Sequence, residues 1–379
     1  MNGQAAGRAP RWATTGAFAW AALLLLVTLS PSADGAVAGR WAWVGPSPAV
    51  ADGIANILAF VPLGALACAA LGGVRSAVLA GALLSLVIEV AQGMGIPGRY
   101  ATASDLFANV LGGAIGAMLA ERAGEFIWPS RPVAWRLIVA WAGLAATVLV
   151  GSTWLSAPGE ASEASEAYEG QHAETWNAQR NPEHGLRDVR FNGRYFEWGL
   201  LPNPGQVTRG IRDEQLRLEI ALDPGDPGRG THRLAAVIAA DGSFENVARL
   251  EVNGSEIRFR TRARAEHSGL HAPFVRLSGA FPAPSDSARP PIMIGGARDG
   301  PRLTVWVHAG DATRLASLRL TPLDVWMFLL PPTVASRAEP WFFRLLVGLL
   351  LFGPLAWWLV AVVRGGERPQ APRDEARSS

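Results

Sequence analysis

Three polar pairs interrupt otherwise apolar runs between residues 52 and 109: Asp52 with Asn56, Glu89 with Gln92, and Asp105 with Asn109. Each pair is spaced by three or four residues, so on a helix its members share one face. Arg99 stands in the short loop between the second and third pairs. The set offers carboxylates, amides and one guanidinium, with no histidine or cysteine, which excludes imidazole bases and thiol nucleophiles. Asp52, Glu89 and Asp105 with amide oxygens suit a hard divalent cation; no other cofactor is implied. Joined by Arg99, they suit the phosphate or sugar headgroup of a lipid-linked precursor. Glu89, if desolvated, suits an acid or base acting on such a headgroup. The alternative is an internal network that fixes helix packing, with Arg99 neutralising one acid. Asp52 and Asp105 also stand at helix starts, where carboxylates serve as caps.

The elements that must position these residues are apolar and long. Spans are expected over 12–29, 54–71, 77–92, 106–120, 135–154 and 341–363, each near the ~20 residues that cross a bilayer. The first apolar run, preceded by Arg8 and Arg11, reads equally as a signal peptide cut near Ala33 or as an uncleaved signal anchor. With a cytoplasmic N-terminus, Arg122, Arg131, Arg136, Arg364, Arg368, Arg373 and Arg377 all fall inside, and Arg40 and Arg99 fall in short outer loops. That asymmetry satisfies the positive-inside rule and puts both termini in the cytoplasm. Tryptophans at 12, 41, 43, 128, 135, 154, 341, 357 and 358 fit interfacial belts. Under this topology the three polar pairs and Arg99 share one depth near the outer leaflet. Ionisable groups there are costly and point to a common buried or water-lined site.

The blocks DGIANILAFVPLG (52–64), SLVIEVAQ (85–92) and SDLFANVLGGAIG (104–116) resemble the VanZ-like membrane proteins through Asp52, Asn56, Phe60, Pro62, Gly64, Ser85, Glu89, Gln92, Arg99, Asp105, Asn109, Gly112, Gly113 and Gly116. The resemblance covers residues 15–125. It implies a bacterial envelope role, the founding member being associated with low-level teicoplanin resistance, and it carries no settled reaction. One departure is local: the family commonly has a further acid just before the counterpart of Asp105, where Thr102, Ala103 and Ser104 stand here. Gly112 and Gly116 form GxxxG, with Gly113, Ala117 and Gly64 extending a small-residue face for close helix contact.

Beyond Trp154 the composition changes. Residues 156–184 read as a polar linker, and 185–322 as short alternating strands at 216–222, 232–240, 248–254, 256–264, 291–296, 302–310 and 316–320, with Asn253-Gly254 marking a hairpin. Their order, with FEWGL at 196–200, resembles a concanavalin A-like, laminin-G-type sandwich or jelly roll, which implies glycan or calcium binding with Asp241, Asn246 or Asp299 as contributors. Turn Asp and Asn more often serve backbone geometry. The histidines, all in this region, form no metal-binding spacing. The run 323–330 is too short to span and suits an interfacial segment before the last span and a cytoplasmic tail at 364–379.

The fold class expected is therefore an α-helical transmembrane bundle of about six spans with an all-β extracytoplasmic domain inserted before the last one. A net charge of +2, with the basic residues all arginine and scattered, argues against a nucleic-acid partner. The lone Cys68 excludes an internal disulfide. The expected partners are membrane lipids, a lipid-linked precursor or a glycan. The function classes left open are an envelope binding factor, an enzyme on a lipid-linked glycan or phospholipid headgroup, and a structural subunit of an exopolysaccharide complex.

Overall fold

A computed structural model describes residues 10–31, 40–43, 49–159, 167–172, 186–222, 231–240, 246–280, 291–335 and 339–364. The proposed cleavage point near Ala33, Asp241, and all of the C-terminal tail after Arg364 lie outside them. The chain divides into two compact units, Met1–Val148 with Arg344–Ser379, and Leu149–Phe343.

The helical unit is built on α1 (Arg11–Thr28), α2 (Ala49–Leu71), α3 (Val74–Gly93), α4 (Ala103–Glu121), the short α5 (Ala123–Ile127), α6 (Arg131–Ser156) and α11 (Pro340–Val363), with α6 and α11 running on into the second unit. Six of these helices are long and apolar enough to cross a membrane, which fits a multi-pass membrane protein. The helices begin earlier than the apolar runs because Asp52 and Asp105 lie within the first turns of α2 and α4. Helices α2 and α4 approach to backbone contact: a side chain at Gly112 would strike the Ile57 carbonyl, one at Gly116 the Val61 carbonyl, and one at Gly64 the Gly113 carbonyl. The small-residue face expected from the sequence is this contact.

Prolines inside α2 and α11 interrupt the hydrogen-bond ladder. In each case an indole from a neighbouring helix donates to a carbonyl three residues before the proline: Trp20 Nε1 to Ala59 O at 2.9 Å, ahead of Pro62, and Trp141 Nε1 to Leu351 O at 2.9 Å, ahead of Pro354. Trp357 and Trp358 similarly donate to Ile127 O and Phe126 O, at 2.7 and 2.8 Å. Trp358 is buried against Ala134 and Val362, in the packing between α6 and α11.

An element that hydropathy does not announce ties the polar end of this unit. Strand β1 (Arg40–Ala42) pairs in parallel with β2 (Tyr100–Thr102), Arg40 opposite Tyr100 and Ala42 opposite Thr102. The loop before α4 is thereby anchored to the segment that follows α1.

The second unit contains two antiparallel six-stranded sheets. The first has the order β11 (Phe274–Leu277), β10 (Glu256–Thr261), β9 (Asn246–Asn253), β8 (Thr231–Ala239), β3 (Tyr168–His172), β6 (Gly199–Leu200). The second runs β14 (Ala312–Arg319), β13 (Arg302–Ala309), β12 (Ile292–Asp299), β7 (Gln215–Leu222), β4 (Leu186–Phe191), β5 (Arg194–Tyr195). The sheets pack face to face, β10 on β12 and β13, and β7 on β8 and β9. Phe259 of β10 occupies the space a side chain at Gly296 of β12 would need.

Three expectations are corrected here. Residues 168–172, assigned by composition to the linker, form β3, whose Tyr168 is fully buried; apolar content in that stretch is too low to betray a central strand. FEWGL contributes only the two-residue β6, and α7 (Pro204–Arg212) follows it. The β9–β10 hairpin turns on Gly254-Ser255, one position beyond the expected pair, because Asn253 still pairs with Glu256. Gly254 takes a φ of 57°, as the first central residue of a primed hairpin turn requires. After α8 (Arg264–His267), the 323–330 run forms a 3-10 turn, Pro322–Val325, and α9 (Trp326–Leu329), followed by α10 (Pro332–Ala335).

Candidate functional site

The polar residues of the helical unit gather where α1 and α3 end and α2 and α4 begin. Two subsets differ in what holds them.

The first subset is engaged in structure. Glu89, only 3% exposed, accepts the Thr102 backbone N–H on Oε2 at 2.7 Å. Thr102 is the N-cap of α4, its Oγ1 accepting the Asp105 N–H at 3.0 Å. In the usual reciprocal box the acid three residues on would take the cap's own N–H. Here Glu89 from α3 takes it, and the Asp105 carboxylate is left for other contacts. Gln92 Nε2 donates to Thr28 O at 3.0 Å, and Arg99 donates from Nε to Ser30 O and from Nη2 to Val27 O, at 3.0 and 3.1 Å. Together they satisfy carbonyls at the end of α1 that no further helical turn can reach. Asn109 Nδ2 donates to Ser85 Oγ at 2.9 Å, joining α4 to α3, while its buried Oδ1 has no partner among the described residues.

The second subset is Asp52, Asn56 and Asp105. The Asp105 carboxylate lies against the Thr102 hydroxyl and the Asn56 amide. Asp52 is within electrostatic reach of both Asp105 and Arg99, and Glu89 within reach of Asp105. Neither aspartate forms an ion pair among the described residues. All three half-buried side chains remain partly accessible.

The expected convergence of residues from separate helices is thus met in position. Arg99 directs two of its donors to the Ser30 and Val27 carbonyls at and just beyond the end of α1. Among the described residues no group of three His, Cys, Asp or Glu side chains is placed to hold a metal ion. Thr102 is the residue that sequence reasoning missed. Its signal was present as Thr102-x-x-Asp105, the signature of a helix start.

Residues 13–124 match the VanZ/LLP1 family model. This span takes in most of α1 and all of α2 to α4, including every residue of both subsets. No curated protein matches the chain. No solved structure does either.

Among the turn residues expected as contributors to a sandwich site, Asn246 opens β9 and Asp299 closes β12 opposite Gln215 and Arg302, each within a strand ladder.

Proposed function

We propose that this protein is an envelope factor of a bacterial cytoplasmic membrane that holds a polar, lipid-linked headgroup at Asp52, Asn56 and Asp105. Both termini lie in the cytoplasm, and the sandwich, on the extracytoplasmic side, binds a glycan or a protein partner. Surface-polysaccharide assembly or glycopeptide tolerance is the setting this combination suits.

The observation that carries the reading is the division of labour at the polar end. Glu89, Gln92 and Arg99 are bound to helix ends and a cap residue and Asn109 to Ser85, whereas Asp52 and Asp105 bring two carboxylates together without a guanidinium pairing with either among the described residues. Such a pair is costly in an apolar environment unless a ligand supplies donors. A headgroup rich in hydroxyls, or one carrying an ammonium, supplies them; a bare phosphate does not. Glu89 is committed to the cap of α4, so the reading gives it positioning work and no proton transfer. The arginine asymmetry supports the sidedness, and the short helical turns at 322–329 suit a segment lying at the membrane surface.

The test is mass spectrometry of lipids retained by the full-length protein purified in mild detergent. Wild type is expected to keep a defined lipid class that the Asp52→Asn/Asp105→Asn double variant loses at equal yield. A wild-type lipid profile identical to the bulk membrane would contradict the proposal.

A further inference from the structure

We infer that the outer face of the sheet β11-β10-β9-β8-β3-β6 carries an oxyanion site, built by Arg233, Arg249 and Arg260 around Glu251, that takes the carboxylate or phosphate of an acidic saccharide. This deepens, and rests on, the reading of the sandwich as a binding module; it is independent of the headgroup site.

Strand alternation defines the face. On β9, Ala248, Leu250 and Val252 are fully buried toward the second sheet, so Arg249 and Glu251 point the other way. On β10, Ile257 and Phe259 point inward, so Arg258 and Arg260 point outward. The register then places Arg260 directly opposite Arg249, and both Arg258 and Arg233 opposite Glu251. Like charges directly across a strand pair repel.

The local acids only partly offset that repulsion. Glu251 pairs with Arg249 and, at 3.3 Å, with Arg260. Arg233 donates to Gln171 Oε1 on β3 and senses Glu251 at longer range. Glu266, beyond β10, lies within reach of Arg249, Arg260 and Arg262. His271 faces Arg260 from the following loop; burial and that arginine lower its pKa to about 4, so it adds no charge near neutrality, and its buried Nε2 has no partner among the described residues. Burial, with Arg260 and Arg233 reinforcing it and Glu251 opposing, pushes Arg249 down to about 10. Arg260 Nε is buried without a hydrogen-bond partner among the described residues.

The carboxylate at the centre is sealed, at 7% side-chain exposure, while Arg249 and Arg260 retain 19% and 22%. The cations reach solvent and the anion does not. Guanidinium forks match the two-oxygen edge of a carboxylate or phosphate. Gln171, in the same row, adds an amide of the kind that pairs with sugar hydroxyls.

The experiment is calorimetric titration of the full-length, detergent-solubilised protein with sodium phosphate, sodium glucuronate and glucose, at ionic strength held constant with sodium chloride. Saturable binding of phosphate, of glucuronate or of both, with none of glucose, supports the site and identifies which oxyanion it takes. Arg249→Gln and Arg260→Gln should each weaken that binding tenfold or more. Arg249→Gln should melt no lower than wild type, because it removes one of two opposed charges. Anions binding no better than glucose would overturn the site, as would an Arg249→Gln variant that melts lower yet binds the anion as wild type does. Neutral-glycan binding with silence toward both anions would overturn this site and leave the wider reading of the sandwich standing.

Discussion

In the helical unit, each polar side chain that reaches a buried position at the ends of α1, α3 and α4 meets a defined partner, usually a carbonyl or N–H that a helix end leaves unpaired. In the sandwich, arginines crowd one sheet face, and glutamates answer them only in part. The difference follows from the surroundings. A bilayer offers no water to an unpaired backbone group, which costs several kcal/mol when left alone, so side chains such as Glu89 and Arg99 are drawn to helix ends. On this sheet face surplus charge is tolerated because the Arg249 and Arg260 side chains, 19% and 22% exposed, still reach solvent. What departs from each local rule is then informative: Asp52 with Asp105 in the helices, and Arg249 with Arg260 in the sheet.

The largest effect is expected at the α2–α4 contact. Gly116→Val puts a branched side chain onto the Val61 carbonyl, and overpacking of this kind costs about 1–3 kcal/mol or more. Full-length protein should lose its monodisperse peak in size-exclusion chromatography, whereas Gly143→Val in α6, where nothing lies within contact, should keep it. Next in size is the cap. Glu89→Ala leaves the buried Thr102 N–H without an acceptor, a loss of about 1–3 kcal/mol. Glu89→Gln, which retains a carbonyl oxygen, should recover much of that loss in thermal melting. Equal melting of Glu89→Ala and wild type would remove Glu89 from the structural subset.

The His271 pKa, lowered to about 4 in the fold, lies below its ordinary value of 6.5. Between these two values the unfolded chain binds a proton that the folded chain refuses, so this residue makes stability rise with pH across that window and fall as the medium is acidified. Wild type should therefore lose more melting temperature between pH 7 and pH 4.5 than His271→Gln does. Parallel curves would show that His271 is not held neutral. The smallest effect is expected at the Arg190–Asp188 pair, where the arginine side chain is 54% exposed. Asp188→Ala should change stability by less than about 1 kcal/mol in denaturant unfolding, as exposed pairs do.

Much of the architecture was legible in the sequence because its signals are local. Apolar runs announced the six long helices, and glycines at 64, 112, 113 and 116 announced the close face. Alternation announced β7, β8, β9, β10 and β13. The site was legible in its residues and its shared end, but not in its partners. That Arg99 would turn to α1, or that Glu89 would take the Thr102 N–H, depends on hydrogen bonds between segments up to 72 residues apart. Strand β3 escaped because Glu169, Gly170 and Gln171 carry no apolar alternation around the buried Tyr168. The arginine face escaped for a related reason: Arg233, Arg249 and Arg260 come together only through a register with a bulge in β8.

The proposed function turns on the contrast between Asp52 with Asp105 and Arg99. The decisive measurement is the amount of retained lipid per protein in three full-length samples: wild type, Asp52→Asn/Asp105→Asn, and Arg99→Gln. Loss of the lipid in the aspartate variant at unchanged melting temperature, with Arg99→Gln melting lower but still carrying the lipid when folded, is the predicted result. A folded Arg99→Gln protein that loses the lipid while the aspartate variant keeps it would contradict the division on which the proposed function rests.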